Sequence, residues 1–246
     1  MPSQKAWDYY FRTLKRLIPD AEHQQQFYFR LLRTHVRPGI TWLDAGCGHT
    51  LVPEWIKGAK ELEEWFLTTA RAVVGCDVDR SSLNAPSRIR RAACNIEQLC
   101  FRPGTFELIT CNGVIEHVEH PGRAFREFFQ ALKPRGALIV HTPNLFHWST
   151  LIARATPFWF HRIILKWIAE MELHDVFSTR FRANTAKTLR RLLLAAGFQD
   201  ITIHLVPGRP RLVGFGPFLH VECMLHRIVR RFPQAGEFLC AVARRR

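Results

Sequence analysis

Two acidic residues sit beside short glycine-containing turns, and their surroundings define the chemistry open to this chain. In Trp42-Leu43-Asp44-Ala45-Gly46-Cys47-Gly48 an apolar run meets an aspartate and then breaks on two glycines. Glycine suits a strand-to-helix turn that must tighten while a ligand approaches its backbone. An acid at such a turn fits a cationic or hydroxyl-rich ligand better than a pyrophosphate, although ordinary tight turns carry the same letters. The second acid closes Val73-Val74-Gly75-Cys76-Asp77. At the end of the second strand of a nucleotide-binding α/β sheet an acid accepts hydrogen bonds from ribose hydroxyls. The other use of an acid here is to cap a helix, and the two uses are compatible if Asp79 caps while Asp77 takes the ribose.

The elements that position these residues alternate. Apolar spacing over Trp7–His35 (Phe11, Leu14, Leu17, then Phe27, Phe29, Leu31, Leu32) reads as helices, ended by Pro38-Gly39. Strands are expected at Ile40–Ala45, Ala72–Cys76, Ile89–Cys94, Phe106–Cys111 and, after the Pro134-Arg135-Gly136 turn, Ala137–Thr142. Helices are expected within Val52–Ala70 and over Gly122–Leu132. Then come a helix over Thr185–Ala196 capped by Gly197 and strands at Ile201–Val206 and Glu237–Ala243. Such alternation implies parallel strands joined by helical crossovers. Two basic segments, about 145–184 and 207–236, stand outside the pattern as insertions.

With 246 residues, 47% of them hydrophobic, the chain is long enough for one domain with a sizeable core and is not a disordered polymer. It contains no apolar run of about 18 residues, and Met1–Asp20 lacks the apolar centre of a secretory signal. The seven cysteines form no C-x-x-C pair and read as small buried hydrophobes of a reducing compartment, so a cytoplasmic location is expected. The formal net charge is +14, and from Thr150 onward sixteen Lys/Arg face six Asp/Glu. A field of this sign attracts nucleic acid, anionic membrane or acidic metabolites.

Taken in order, Leu43–Gly48, Gly75–Asp77, Cys94-Asn95-Ile96-Glu97, Phe106–Pro121 and Leu132–Asn144 resemble the class I S-adenosylmethionine (SAM)-dependent methyltransferases. Within that class they are most similar to the branch with the ubiquinone-biosynthesis O-methyltransferases. The resemblance is close over Ile40–Asn144 and loose over Thr185–Val206. It implies a Rossmann-like α/β fold with a seven-stranded sheet of order 3-2-1-4-5-7-6, the last strand antiparallel, helices on both faces and helical lid insertions. It implies SAM as cofactor, with S-adenosylhomocysteine as product. Asp44, Ala45, Gly46, Cys47 and Gly48 would hold the methionine portion, and Asp77 and Val78 the ribose side. Asn95 and Ile96 would meet the adenine, and Cys111 and Asn112 would line the methionine end. Glu116-His117 and Thr142-Pro143-Asn144 match an E-H and a T-P-N of the family. Three positions depart from it. Thr50 replaces a third glycine, Asn95 replaces an acid, and Gly113 stands where ubiquinone-type enzymes have a metal-binding glutamate, so no metal site is expected.

Methyl transfer needs alignment of the acceptor with the S–CH₃ bond, an orientation effect worth up to about 7–11 kcal/mol. A hydroxyl acceptor also needs a base, for which histidine is suited. His117 is the first candidate, although it could simply pack at a helix start; His141 and His147 are the others. The acceptor is expected to be a small or lipid-linked molecule methylated on oxygen. An RNA or protein methyltransferase docking through the basic C-terminal half, and a SAM-binding membrane adaptor without catalysis, are the alternatives; nucleic acid is less favoured because the aromatics sit among aliphatics. Residues 157–171 and 218–232 both place apolar side chains opposite Lys and Arg. That pattern fits either a lid packed on the domain or peripheral contact with the inner face of the membrane. In the second segment Leu225, Ile228, Val229 and Phe232 stand opposite His226, Arg227, Arg230 and Arg231. Arg180 and Arg182 are candidates for holding an anionic group of the acceptor, or are solvated.

Overall fold

Thr41–Ala45 (β1) is buried at every position, as befits a strand with a parallel neighbour on each side and both faces covered. In the computed structural model, which describes residues 3–83, 89–148, 150–151, 178–210 and 216–246, β1 pairs in parallel with Ala72–Asp77 (β2) and Phe106–Asn112 (β4). β2 continues to Arg90–Ala93 (β3), and β4 to Leu132–Pro143 (β5). With Gln199–Val206 (β6) and Phe238–Arg244 (β7), the described residues form a seven-stranded mixed sheet of order 3-2-1-4-5-7-6. Arg135 N–H donates to Arg245 O and Arg245 N–H to Gly136 O, while Asn144 N–H donates to Glu237 O. As β5 ascends, its partner residues descend, so β7 is antiparallel to it. The strand order and sense read from the sequence are those of the structure.

Among the described residues the α-helices are Gln4–Leu17 (α1), Gln24–Arg33 (α2), Ala59–Thr69 (α3), the short Arg80–Leu83 (α4), Pro121–Ala131 (α5), Ala186–Ala195 (α6) and Gly216–Val229 (α7). α5 starts on a proline, whose missing N–H costs nothing there, and buries Pro121, Ala124, Phe125, Phe128 and Ala131 on one face. The Thr185 hydroxyl caps α6 by accepting from Thr188 N–H at 3.1 Å, and Gly197 ends it at a φ of 103°.

α3 lies within the expected 52–70, entered where Gly58, at φ 73°, turns the chain into it. Boundaries differ from the sequence reading around β5. Leu132, expected to end α5, is already the first residue of β5 opposite Phe106. The Pro134-Arg135-Gly136 turn lies inside that strand as an irregularity between the Phe106 and Leu108 pairings, with Arg135 at φ 66°. Residues 157–171 lie outside the described residues, as does most of the expected lid over 145–184.

The chain divides into two compact units: Tyr28–Pro143 with Thr179–His204 and Leu239–Arg246, and Met1–Phe27 with Asn144–Ser178 and Leu205–Phe238. The first holds most of the sheet and a core in which Trp42 meets Phe66 edge-on at 5.5 Å. In the second, Tyr10, Leu14 and Ile18 of the N-terminal segment pack on Leu219 and Cys223 of α7. No helix among the described residues is long and apolar enough to cross a membrane. All seven cysteines are free thiols.

Candidate cofactor-binding site

The C-terminal ends of β1, β2 and β4 bring together the residues singled out in the sequence. At the end of β1, Gly46 and Cys47 both donate their backbone N–H to Cys76 O, at 2.7 and 3.1 Å, and Gly48 N–H donates to Asp77 Oδ2 at 3.0 Å. The loop therefore spends its N–H groups on β2 and offers no anion nest, the opposite of a phosphate-cradling loop. Gly46 and Gly48 sit at φ 78° and 50°, conformations open to glycine at little cost. Gly46 has a second reason to be glycine: a Cβ there would lie 2.1 Å from Val114 Cγ2. A Cβ on Gly48 would meet nothing within 4 Å, so that side of the loop is open for a ligand. The Cys47 side chain is buried and packs over Gly75, where an added Cβ would lie 2.6 Å from its sulfur; burial pushes its thiol up to about 12.

Asp44 is the group on which the electrostatics turn. Its carboxylate is buried, and burial raises its pKa from the ordinary 3.8 to about 6, opposed by a hydrogen bond from Thr110. Thr110 Oγ1 accepts from Trp42 Nε1 at 2.7 Å and donates to Asp44 Oδ1 at 2.7 Å. The register that sets Thr110 opposite Asp44 across β1 and β4 makes this chain of contacts. A buried carboxylate with a raised pKa is stabilised by any cation brought beside it, which is what a sulfonium or ammonium ligand supplies.

Asp77 has each oxygen held by a backbone N–H, Oδ2 by Gly48 and Oδ1 by Asp79 at 2.9 Å, and each oxygen keeps a further lone pair as acceptor. Asp79 caps α4 by accepting from Ser81 N–H at 2.9 Å. Val78 is exposed, with 66% of its surface open, whereas Ile96 is buried at 5%. Asn95 Oδ1 accepts from Glu97 N–H at 2.9 Å, so the oxygen expected to meet an adenine also closes its own turn. Glu97 Oε1 accepts from Glu119 and His120 N–H, both at 3.1 Å, just before α5.

The far side of the site is set by β4, β5 and the 3₁₀ turn Ile115–His117. Cys111 is fully buried and contributes backbone only, its thiol pushed up by burial. Asn112 Oδ1 lies 2.8 Å from His141 Nδ1. His141 is itself fully buried, its ring 5.4 Å from that of Tyr28. His117 is half-buried at the end of the turn. His147 belongs to the other unit, where its ring lies 6.1 Å from that of His226.

Glu116 of the E-H and Thr142 of the T-P-N join Asn184 in one clasp, while Asn144 Nδ2 donates to Gln234 O and Gly236 O. Asn184 Nδ2 donates to Thr142 Oγ1 at 2.8 Å, and Thr142 Oγ1 donates to Glu116 Oε2 at 2.9 Å. Glu116 is buried, which raises its pKa, and its backbone carbonyl accepts from Arg180 and Phe181 N–H. Arg180 and Arg182 both pair with Glu119, the first at 3.2 Å, so part of their charge is already answered. Sequence reasoning missed Thr110, Val114 and Arg91, whose Nη2 donates to His49 O at 2.7 Å and steadies the loop after Gly48. The one signal for Thr110 was a hydroxyl inside an otherwise apolar strand.

Residues 12–203 match the family model described as a methyltransferase domain. A ubiquinone/menaquinone biosynthesis C-methyltransferase of Edwardsiella ictaluri is 32% identical over 46% of this chain and 47% of its own length. A mitochondrial ubiquinone biosynthesis O-methyltransferase of Saccharomyces cerevisiae is 28% identical over 47% of this chain and 38% of its own. The chain thus spans half or less of the length of these relatives. Among solved structures, a SAM-dependent methyltransferase from Mesorhizobium loti has the same fold, with a TM-score of 0.57 and 19% identity over 90% of this chain and 98% of that one. The matched model covers most of the chain, and the chain belongs to the class I SAM-dependent methyltransferases.

Proposed function

We propose that this protein transfers a methyl group from SAM to an oxygen of a small-molecule or lipid-linked acceptor. The observation that carries the reading is Asp44, a buried carboxylate braced by Thr110 at the mouth of a loop whose N–H groups point inward. This suits a ligand with a positive centre and disfavours a dinucleotide pyrophosphate. Asp44 and the Gly46–Gly48 backbone would hold the methionine end, Asp77 the ribose hydroxyls, Val78 one face of the adenine, and Asn112 the region of the reacting sulfur. Bound SAM supplies an already activated methyl, so the chain's own residues align the acceptor, exclude water and manage one proton. In the transfer the acceptor oxygen forms a bond to the methyl carbon as the carbon–sulfur bond breaks. The hydroxyl proton leaves to a base, and His117 takes that role, because His141 is buried against Asn112.

An oxygen acceptor follows the O-methyltransferase relative; the C-methyltransferase relative makes carbon the competing atom. The test incubates purified protein with methyl-labelled SAM and cell extract, then partitions the label. Label in the lipid or small-molecule fraction, lost in Asp77→Ala and released by ether-cleaving chemistry, supports the reading. Label that resists ether cleavage makes carbon the acceptor, and label in RNA or protein overturns the small-molecule reading.

A further inference from the structure

α7 is packed inside out. The side chains it buries are Leu219, Glu222, Cys223 and His226, with Glu222 and His226 only 4% and 2% exposed. The side chains it leaves in the open are Phe218, Val221, Met224, Leu225 and Ile228, continued by Phe232 beyond its end, each between 44% and 65% exposed. At about 100° per residue the five on the helix fall within one arc of about 120°. Had the helix simply packed by its hydrophobic side, this arc would be core; instead it is the surface of its unit. Single exposed apolar residues are ordinary, but a contiguous stripe of large ones marks a site of contact.

Charge identifies the contact. Arg227 and Arg231 are exposed on one edge of the arc, with His220 on the same edge. α1, packed beside α7 through Tyr10 and Leu14, adds exposed Lys5, Arg12, Lys15 and Arg16, against the single acid Asp8 in that helix. Glu222, the one acid of α7, is buried. We infer that the Phe218–Phe232 face of α7, with Arg227 and Arg231 along its edge, docks on an anionic lipid bilayer, its apolar arc entering the interface and its cations meeting headgroup phosphates. A second copy of the chain is disfavoured as occupant, because a two-fold contact through this face would bring the same cations together. A nucleic acid would leave the aliphatic stripe without a match.

The inference stands apart from the identity of the methyl acceptor, and SAM titration of the same preparations separates the two. The full chain is mixed with phosphatidylcholine vesicles with and without roughly a third phosphatidylglycerol and then sedimented. Binding to the anionic vesicles is expected, reduced by about tenfold or more in Phe218→Ser/Ile228→Ser and in Arg227→Glu/Arg231→Glu, with SAM affinity unchanged in both. Equal sedimentation of the variants and the unsubstituted chain would overturn the inference, as would no binding to anionic vesicles. A lipid-free dimer that the Phe218→Ser/Ile228→Ser variant dissociates would give the face to a second copy instead.

Discussion

α5 and α7 are both rich in large apolar side chains, and they turn them in opposite directions. α5 hides Phe125 and Phe128 and leaves Arg123 and Arg126 outside the core; α7 hides Glu222 and His226 and leaves Phe218, Met224 and Ile228 exposed. The first arrangement is what folding alone selects, because burial of apolar surface is its main driving force. The second is stable only because Leu219 and Cys223 suffice to anchor the helix, so the remaining apolar surface is available for something other than folding. The same contrast separates the two units at large. The sheet unit uses its buried polar groups in specific hydrogen-bond chains, Trp42 to Thr110 to Asp44 and Asn184 to Thr142 to Glu116, which hold the ends of the strands.

The contrast can be broken by truncating one phenylalanine on each helix. Phe125→Ala is expected to cost about 3–5 kcal/mol of unfolding free energy, and Phe218→Ala to stay within about 0.5 kcal/mol. Similar losses at both sites in denaturant titrations would show that the α7 face is core after all. Next in size is Gly46→Ala, which meets both a positive φ and Val114; a loss of about 2–4 kcal/mol is expected. Val114→Ala in the same chain should restore the steric part and leave the backbone part, so a double variant no better than the single one would remove Val114 from the account.

Thr110→Val keeps the shape of the strand and deletes the hydroxyl, leaving Trp42 Nε1 without its acceptor and Asp44 Oδ1 without its donor. About 2–3 kcal/mol should be lost. Because the Thr110 hydrogen bond holds the Asp44 pKa down, the variant should also shift the carboxyl upward, observable in a proton-release titration. A further effect comes from pH. The folded pKa of Asp44, about 6, lies above the ordinary 3.8, so within that window the native state holds the extra proton. Stability should therefore fall as pH rises through it, by at most about 3 kcal/mol, with buried Glu116 acting in the same direction. SAM binding should run the other way, weakening below about pH 6 by up to tenfold per unit as the carboxylate that faces its cation is lost. A flat affinity between pH 5 and 7 would take Asp44 out of the site.

How much of this was legible from sequence depended on whether the signal was local. β1 and β5 were readable because a buried parallel strand is a near-continuous apolar run, and the loop and its two acids because glycine and aspartate mark a turn by their own chemistry. The start of β5 was not, because Pro134-Arg135-Gly136 has the letters of a turn and only the pairing with β4 shows it absorbed within the strand. The Trp42–Thr110–Asp44 chain was equally hidden, since it exists only once register sets Thr110 beside Asp44. The periodicity of 218–232 showed which residues share a face. It could not show which face would be buried, because that depends on the partner surface, here Tyr10, Leu14 and Ile18. His141 was readable only as a candidate base on the fifth strand, and its contact with Asn112 exists only once β4 and β5 pair.

The most direct test of the central claim is calorimetric titration of the purified chain with SAM at pH 7.5, beside Asp77→Ala and the Phe218→Ser/Ile228→Ser variant. The account expects saturable one-site binding, weakened about 100-fold by Asp77→Ala, equivalent to about 2.7 kcal/mol, and unchanged by the α7 substitutions. Binding of equal strength with and without the Asp77 carboxylate, or none in the unsubstituted chain, would contradict it.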